Sequence, residues 1–152
     1  RESMTSTPCA HLRPGTWPLH WDLVLDDQLG PTDGLASCQA CGTVYLLEML
    51  DWRGPERLMR MAILERRLAT GLLRDLDRGS CDAGRATAEL NHVRGLAVPV
   101  PELLLIDTSA PGIVAQVPVT ADRPVPTGSW RDFACDGSWI DYARSYVEIT
   151  KE

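Results

Sequence analysis

At 152 residues the chain has the length of one domain. Its 44% hydrophobic and 24% charged residues are ordinary globular values, which excludes a disordered chain. A chain of this size buries roughly 68–70% of its unfolded surface, so it needs no disulfide framework to be stable. The net charge of −6 speaks against a duplex-binding protein, because such affinity rests on clustered Lys and Arg neutralising phosphates.

The charge is uneven. Residues 1–52 carry seven acids and two Arg, residues 53–95 nine Arg and six acids, and residues 96–152 eight acids, three Arg and one Lys, giving −5, +3 and −4. Arg1, Glu2 and Ser3 precede Met4 and read as an expression remnant, which puts the domain at 4–152. No basic leader runs into an apolar core, and no stretch of about 18 apolar residues is present. The expectation is a cytoplasmic protein with no membrane contact. Five cysteines is an odd number, and in a reducing compartment they point to metal binding or burial.

In chain order, Leu19, Trp21, Leu23 and Leu25 alternate with His20, Asp22 and Asp26, the period of a strand. The run from Asp26 to Gly34 has the residues of turn and loop. Thr43 to Leu50 is apolar on both faces and fits a buried strand. Gly54-Pro55 opens the strongest predicted helix, over 55–78, because Pro suits a first helical position and Leu58, Met61, Leu64, Leu68, Leu72 and Leu76 recur at three and four. Gly79 is its expected stop, and a second helix is expected from Asp82 to Arg94 before Gly95.

From Pro99 the pattern changes. Leu103–Ile106 and Ile113–Val117 flank the turn residues 107–112 and predict a hairpin. Pro118, Pro124 and Pro126 predict an extended crossing loop over 118–128. Two short helices should follow, with capping boxes at Ser129/Asp132 and Ser138/Asp141.

Cys38-Gln39-Ala40-Cys41-Gly42 is the most informative stretch. Two thiolates at this spacing can grip one ion from a tight turn, and a Gly directly after allows the positive φ of a knuckle. Cys9-Ala10-His11 supplies two further donors. Cys9, His11, Cys38 and Cys41 therefore form a candidate tetrahedral zinc site, closed by four protein ligands and so structural. His20, placed inside a strand, is expected on the surface. Cys81 and Cys135 are isolated thiols expected to be buried, and His92 stands about three helical turns from Cys81, too far to activate it. A thioredoxin-like dithiol needs a strand before it and a helix after it. Residues 33–37 read as no strand and Gly42–Tyr45 as no helix start.

Residues 9–50 resemble a zinc ribbon or zinc-knuckle segment on these four donors and Gly42. The resemblance implies a Zn2+ ion and a local fold. It implies no activity, because such segments serve proteins of many functions. The whole pattern predicts an α+β single domain: an N-terminal zinc-pinned β-hairpin, central helices, a second β-hairpin and short C-terminal helices.

Catalytic templates are missing from the chain: no Gly-x-Ser-x-Gly, no phosphate-binding Gly-x-x-x-x-Gly-Lys and no Gly-x-Gly-x-x-Gly. Trp130, Phe133, Trp139, Tyr142 and Tyr146 crowd the last 23 residues, where they either close the core or offer a binding surface, which Pro14, Trp17 and Pro18 could join. The expected function is that of a non-enzymatic, zinc-stabilised protein-binding, adaptor or inhibitor-type (immunity or accessory) protein. Its partner would be another protein, basic in character, or a second copy of itself. The alternatives are a nucleic-acid-associated zinc-ribbon protein using a ridge of Arg60, Arg67, Arg74 and Arg78 on helix 55–78, and a small zinc metalloenzyme. The ridge is expected to pair with the chain's own acids.

Overall fold

The computed structural model describes residues 7–151 apart from 28–29, 79–82, 111, 127, 129–131 and 133–135. Within them the order is β1 (Leu19–Asp27), β2 (Gly30–Cys38), β3 (Val44–Arg53), β4 (Glu56–Leu64), α1 (Arg66–Arg78), α2 (Ala83–Arg94), β5 (Val98–Asp107), β6 (Gly112–Pro118) and α3 (Ser138–Lys151). The fold is a mixed α+β domain, with one six-stranded antiparallel sheet in chain order.

The two strands expected to form the N-terminal hairpin, β1 and β3, do not pair with each other, because β2 lies between them, and β4 joins β3 to the 103–117 hairpin in the same sheet. Both connecting strands are corrections. Gly30–Cys38 pairs with β1 and β3, although Pro31, Asp33 and Gly34 carry turn chemistry. Gly34 is required there, since a Cβ would lie 2.4 Å from the Leu23 carbonyl oxygen.

The predicted helix 55–78 is half strand. Gly54-Pro55 is the two-residue loop of a β-hairpin, between the paired Arg53 and Glu56. Gly54 takes φ 56°, and the ring of Pro55 fixes the next φ negative, the sign pattern of a II′ turn. Both faces of β4 are covered, so Leu58, Met59, Met61, Ala62, Ile63 and Leu64 supply apolar side chains to both, and its charges Glu56, Arg57 and Arg60 are themselves largely buried. Leu58, Met61 and Leu64 are a helical-looking subset of a doubly buried strand. Only 66–78 is helical, with Leu72 and Leu76 buried against the sheet.

Three buried clusters show how the sheet is used. Tyr45, Leu47 and Met49 of β3 point into a cluster with Met59, Met61 and Leu104, which includes Leu19 of β1 and Ile113 of β6 but no helical residue. The sheet is therefore rolled around this interior. The N-terminal segment crosses the seam, where Gly15 N–H donates to Ile113 O at 2.8 Å and Ile113 N–H to Thr16 O at 2.9 Å. On the other face Val44 and Leu46 meet α1 and α2, and Leu50 and Leu58 meet Ile140 and Ala143 of α3.

The second helix and the 103–117 hairpin stand where expected. Residues 118–128 hold only the bridge Thr120–Arg123 among those described. The first C-terminal helix, with Ser129, Trp130 and Phe133, lies outside the described residues. The second is α3, and its cap is a correction. Trp139 N–H and Ile140 N–H both donate to Asp51 of β3, at 3.1 and 3.3 Å, while Asp141 pairs with Arg53 at 2.9 Å. A buried carboxylate from another element replaces the expected capping box.

Candidate metal centre

Leu12 is 1% exposed and anchors the segment before β1 in the interior, which holds Cys9 and His11 against the sheet. The Cys9 N–H donates to the Tyr45 hydroxyl at 2.8 Å. Tyr45 is wholly buried, and burial, followed by the Cys9 side chain, pushes its hydroxyl well above the usual tyrosine range. It remains a neutral phenol that fixes where Cys9 stands.

Cys38 is the last residue of β2, paired with Leu19 at the start of β1. The chain then turns through residues 39–41 before β3. Cys38 N–H donates to Thr43 O at 2.9 Å, Gly42 N–H to Cys38 O at 2.7 Å, and Gln39 N–H to Pro18 O at 2.8 Å. Gly42 has φ 79°, the left-handed conformation that a knuckle requires and that a side chain would strain. Arg66 of α1 lies over this glycine, so an added Cβ would also collide with its guanidinium.

The backbone turns its donors toward sulfur. Burial raises the Cys38 thiol, while the N–H groups of Cys41 and Ala40 act in the opposite direction. Cys41 is exposed, and its thiol is lowered to about 6, first by the Thr43 hydroxyl 3.2 Å from its sulfur, then by the Thr43 N–H. Its neighbouring N–H and O–H donors thus favour the thiolate at Cys41, the form that binds metal, while burial works against it at Cys38.

The structure brings together all four predicted donors. One ligand atom from each of Cys9, His11, Cys38 and Cys41 lies within 4.8 Å of the others, so the group could hold a metal ion. Donors from positions 9–11 and 38–41 meet only because the fold places the first segment beside the β2–β3 turn.

The other candidates stay apart. His20 is 63% exposed, 3.8 Å from Asp22, and His92 is exposed on α2. Cys81 and Cys135 lie outside the described residues. The thioredoxin-like reading fails on its second half alone: residues 33–37 are strand after all, but Gly42 leads into β3 and not into a helix. The arginine ridge does not exist. Arg60 sits on β4 with 14% of its side chain exposed, bound to Glu48 at 3.1 Å, whereas Arg67 and Arg74 are exposed on α1. The N-terminal and C-terminal aromatics do not join either. Trp17 is partly buried against the rolled interior, while Trp139, Tyr142 and Tyr146 of α3 are partly buried against the cluster on the opposite face.

A second polar cluster escaped sequence reasoning. Glu48, in the middle of the apolar run of β3, is 6% exposed and bridges Arg60 and Arg94. Its signal was a lone charge in a strand covered on both faces, which demands a partner.

No family model, curated protein or solved structure matches the chain. Among the described residues no helix is long and apolar enough to cross a membrane.

Proposed function

We propose that the chain is a binding module, not a catalyst, whose N-terminal segment is clamped to the sheet by one structural zinc ion. The observation that carries this reading is the approach of four ligand atoms from two chain segments to within 4.8 Å. Three thiolates and one imidazole suit zinc, whose structural sites are tetrahedral with four protein ligands. Such a shell leaves no position for a water or substrate, which separates this reading from a metalloenzyme. Knuckle geometry at Gly42 and the fixed Tyr45–Cys9 contact favour a site shaped before the ion arrives.

The partner we favour is another protein, met on the α3 side. Trp139, Tyr142 and Tyr146 are only partly buried there, and Arg123 stacks 4.0 Å from the Trp139 ring centre and 4.8 Å from that of Tyr142. Such aromatic and arginine groups are the side chains that dominate protein interfaces. The nucleic-acid alternative loses its ridge once Arg60 is inside.

Metal analysis of protein never exposed to chelator should give one zinc per chain. Cobalt substitution should then give the intense visible bands and thiolate charge-transfer absorption of a tetrahedral centre. A metal-free protein that remains fully folded, or a five-coordinate cobalt spectrum with exchangeable water, would overturn the structural-zinc reading. Light scattering with and without a Tyr142→Ala, Tyr146→Ala double change tests whether that surface also mediates self-association.

A further inference from the structure

We infer that a cleft on the helical face of the sheet, between the end of α2 and residues 125–126, is a binding site for a small organic carboxylate. It lies on the opposite face of β3 from Tyr45, and the inference does not depend on the metal centre. The cleft has a volume of about 260 Å3. Its walls are apolar, with Leu46, Ala62, Ala97 and Val125 among them, and its polar groups are Glu48, Arg60 and Arg94. Ligand sites have this composition: mostly apolar walls and a few placed polar groups. Drug-sized sites run from roughly 300 Å3 upward, so this one suits a small molecule.

The charges in the cleft do not balance. Glu48 contributes one negative charge, with 8% of its side chain exposed, and Arg60 and Arg94 contribute two positive ones. Arg60 is fully occupied: its Nε donates to Glu48 Oε1 at 3.2 Å, its Nη1 to Pro126 O, and its Nη2 to Gly128 O at 2.9 Å. It neutralises Glu48 and holds Pro126 and Gly128 beside the cleft. Arg94 is different. Its Nη2 meets the second Glu48 oxygen, while its Nε is buried and has no protein acceptor.

A buried guanidinium N–H without an acceptor is costly. Arg presents its donors as a rigid planar fork that matches a carboxylate. The surplus positive charge and the unpaired Nε–H of Arg94, whose side chain is otherwise 38% exposed at the cleft, therefore call for one anionic, planar acceptor, and the apolar walls call for a hydrocarbon body attached to it. Larger dianions fit poorly, because Glu48 stands beside the anion position and repels a second negative charge.

The test uses the full chain as purified, with benzoate and hexanoate as probes and benzyl alcohol and hexanol as neutral counterparts. Amide shift mapping should place the carboxylates at Ala62, Arg94 and Ala97, with Kd values at or below about 1 mM. The alcohols should bind about tenfold more weakly. Arg94→Gln should cost benzoate about tenfold or more and leave benzyl alcohol unchanged. Ala97→Phe, which fills the cleft without altering its charge, should abolish binding of both. Should Arg94→Gln not fold, Arg94→Lys takes its place: it keeps the charge beside Glu48 but lacks the fork, and benzoate should weaken severalfold. No shifts at roughly 10 mM probe, shifts located elsewhere, equal affinity for acid and alcohol, or full benzoate affinity in the Arg94 variant would each overturn the assignment.

Discussion

The two terminal segments of this chain are fastened to the same sheet by different physics. The N-terminal segment reaches it through side-chain donors: Cys9 and His11 meet Cys38 and Cys41, helped by two backbone hydrogen bonds to Ile113. The C-terminal helix is held by packing and by two buried acids, Asp51 and Glu56, the latter paired with Arg144 of α3. Ile140 and Ala143 are fully buried, and Asp51, itself 1% exposed, takes the N–H groups of Trp139 and Ile140. Burying a side chain such as Ile140 contributes about 1.5–3 kcal/mol wherever the protein finds itself. A thiolate cluster contributes only with an ion and only while its sulfurs are deprotonated. The metal share of the N-terminal fastening is conditional on the proposed ion, whereas the burial of Leu12 and the packing of α3 are constitutive.

The largest effect should come from breaking the conditional fastening. Structural zinc in small peptides contributes an apparent 10–16 kcal/mol, so chelation, or Cys38→Ser, should lower the urea midpoint more than any other single intervention. Hydrogen exchange should speed up first at residues 9–16 and 38–45, while the amides of α3 stay protected. If α3 loosens as much as the N-terminal segment on chelation, the two fastenings are one cooperative unit and the contrast is wrong.

Asp51→Ala should come next, at about 2–4 kcal/mol, because it removes a helix cap and strands buried N–H donors of Trp52, Trp139 and Ile140. Its cost, read by urea denaturation, should be the same with metal and without. Asp51→Asn, which keeps an acceptor oxygen, should cost less. A metal-dependent penalty for Asp51→Ala would show that the two ends communicate through β3.

How much of this could be read beforehand differs between the same two regions. The metal quartet was legible because each half is local: Cys-x-His and Cys-x-x-Cys-Gly carry their spacing within three to five residues. The Asp51 cap was not, because donor and acceptor stand 88 and 89 positions apart and nothing near Ser138 announces a distant acid. β2 was missed because Thr32, Asp33 and Gly34 are turn formers, yet all three are buried in the sheet. β4 was misread because periodicity loses its meaning where both faces are covered. Arg57 shows this best: it is fully buried beside Met49 and the Trp52 ring, a position that only the rolled sheet explains.

Smaller still is the expected effect of the exposed pair at the start of α3. Arg53 and Asp141 are 49% and 69% exposed, and Arg53 has a second acceptor in Gly137 O. Exposed pairs are screened and contribute little. Asp141→Asn should leave the urea midpoint unchanged within error, and a clear loss would mean that α3 relies on its surface charges as well as its cap.

Acid should separate the two fastenings by pH. A metal held by three sulfurs and an imidazole competes with protons for every ligand, so acidification should release it while the carboxylates are still ionised. Asp136 behaves otherwise. The N–H of Ser138 donates to it at 2.9 Å and holds its carboxyl below the ordinary range. A carboxyl lowered on folding contributes stability above its unfolded pKa, and that contribution disappears as pH falls through the lower, folded value. The support that Asp136 gives to α3 should therefore survive the acid that strips the metal. The Ser138 amide resonance reads it directly, since its shift follows the charge on its acceptor. On titration from neutral pH, signals of residues 9–12 and 38–43 should change first, and the Ser138 amide should move only below the usual carboxylate range. Asp136→Asn should flatten that second transition and leave the first untouched. A Ser138 shift that follows metal release would make the acid response of α3 a consequence of events at the other end, and the two fastenings would no longer be independent.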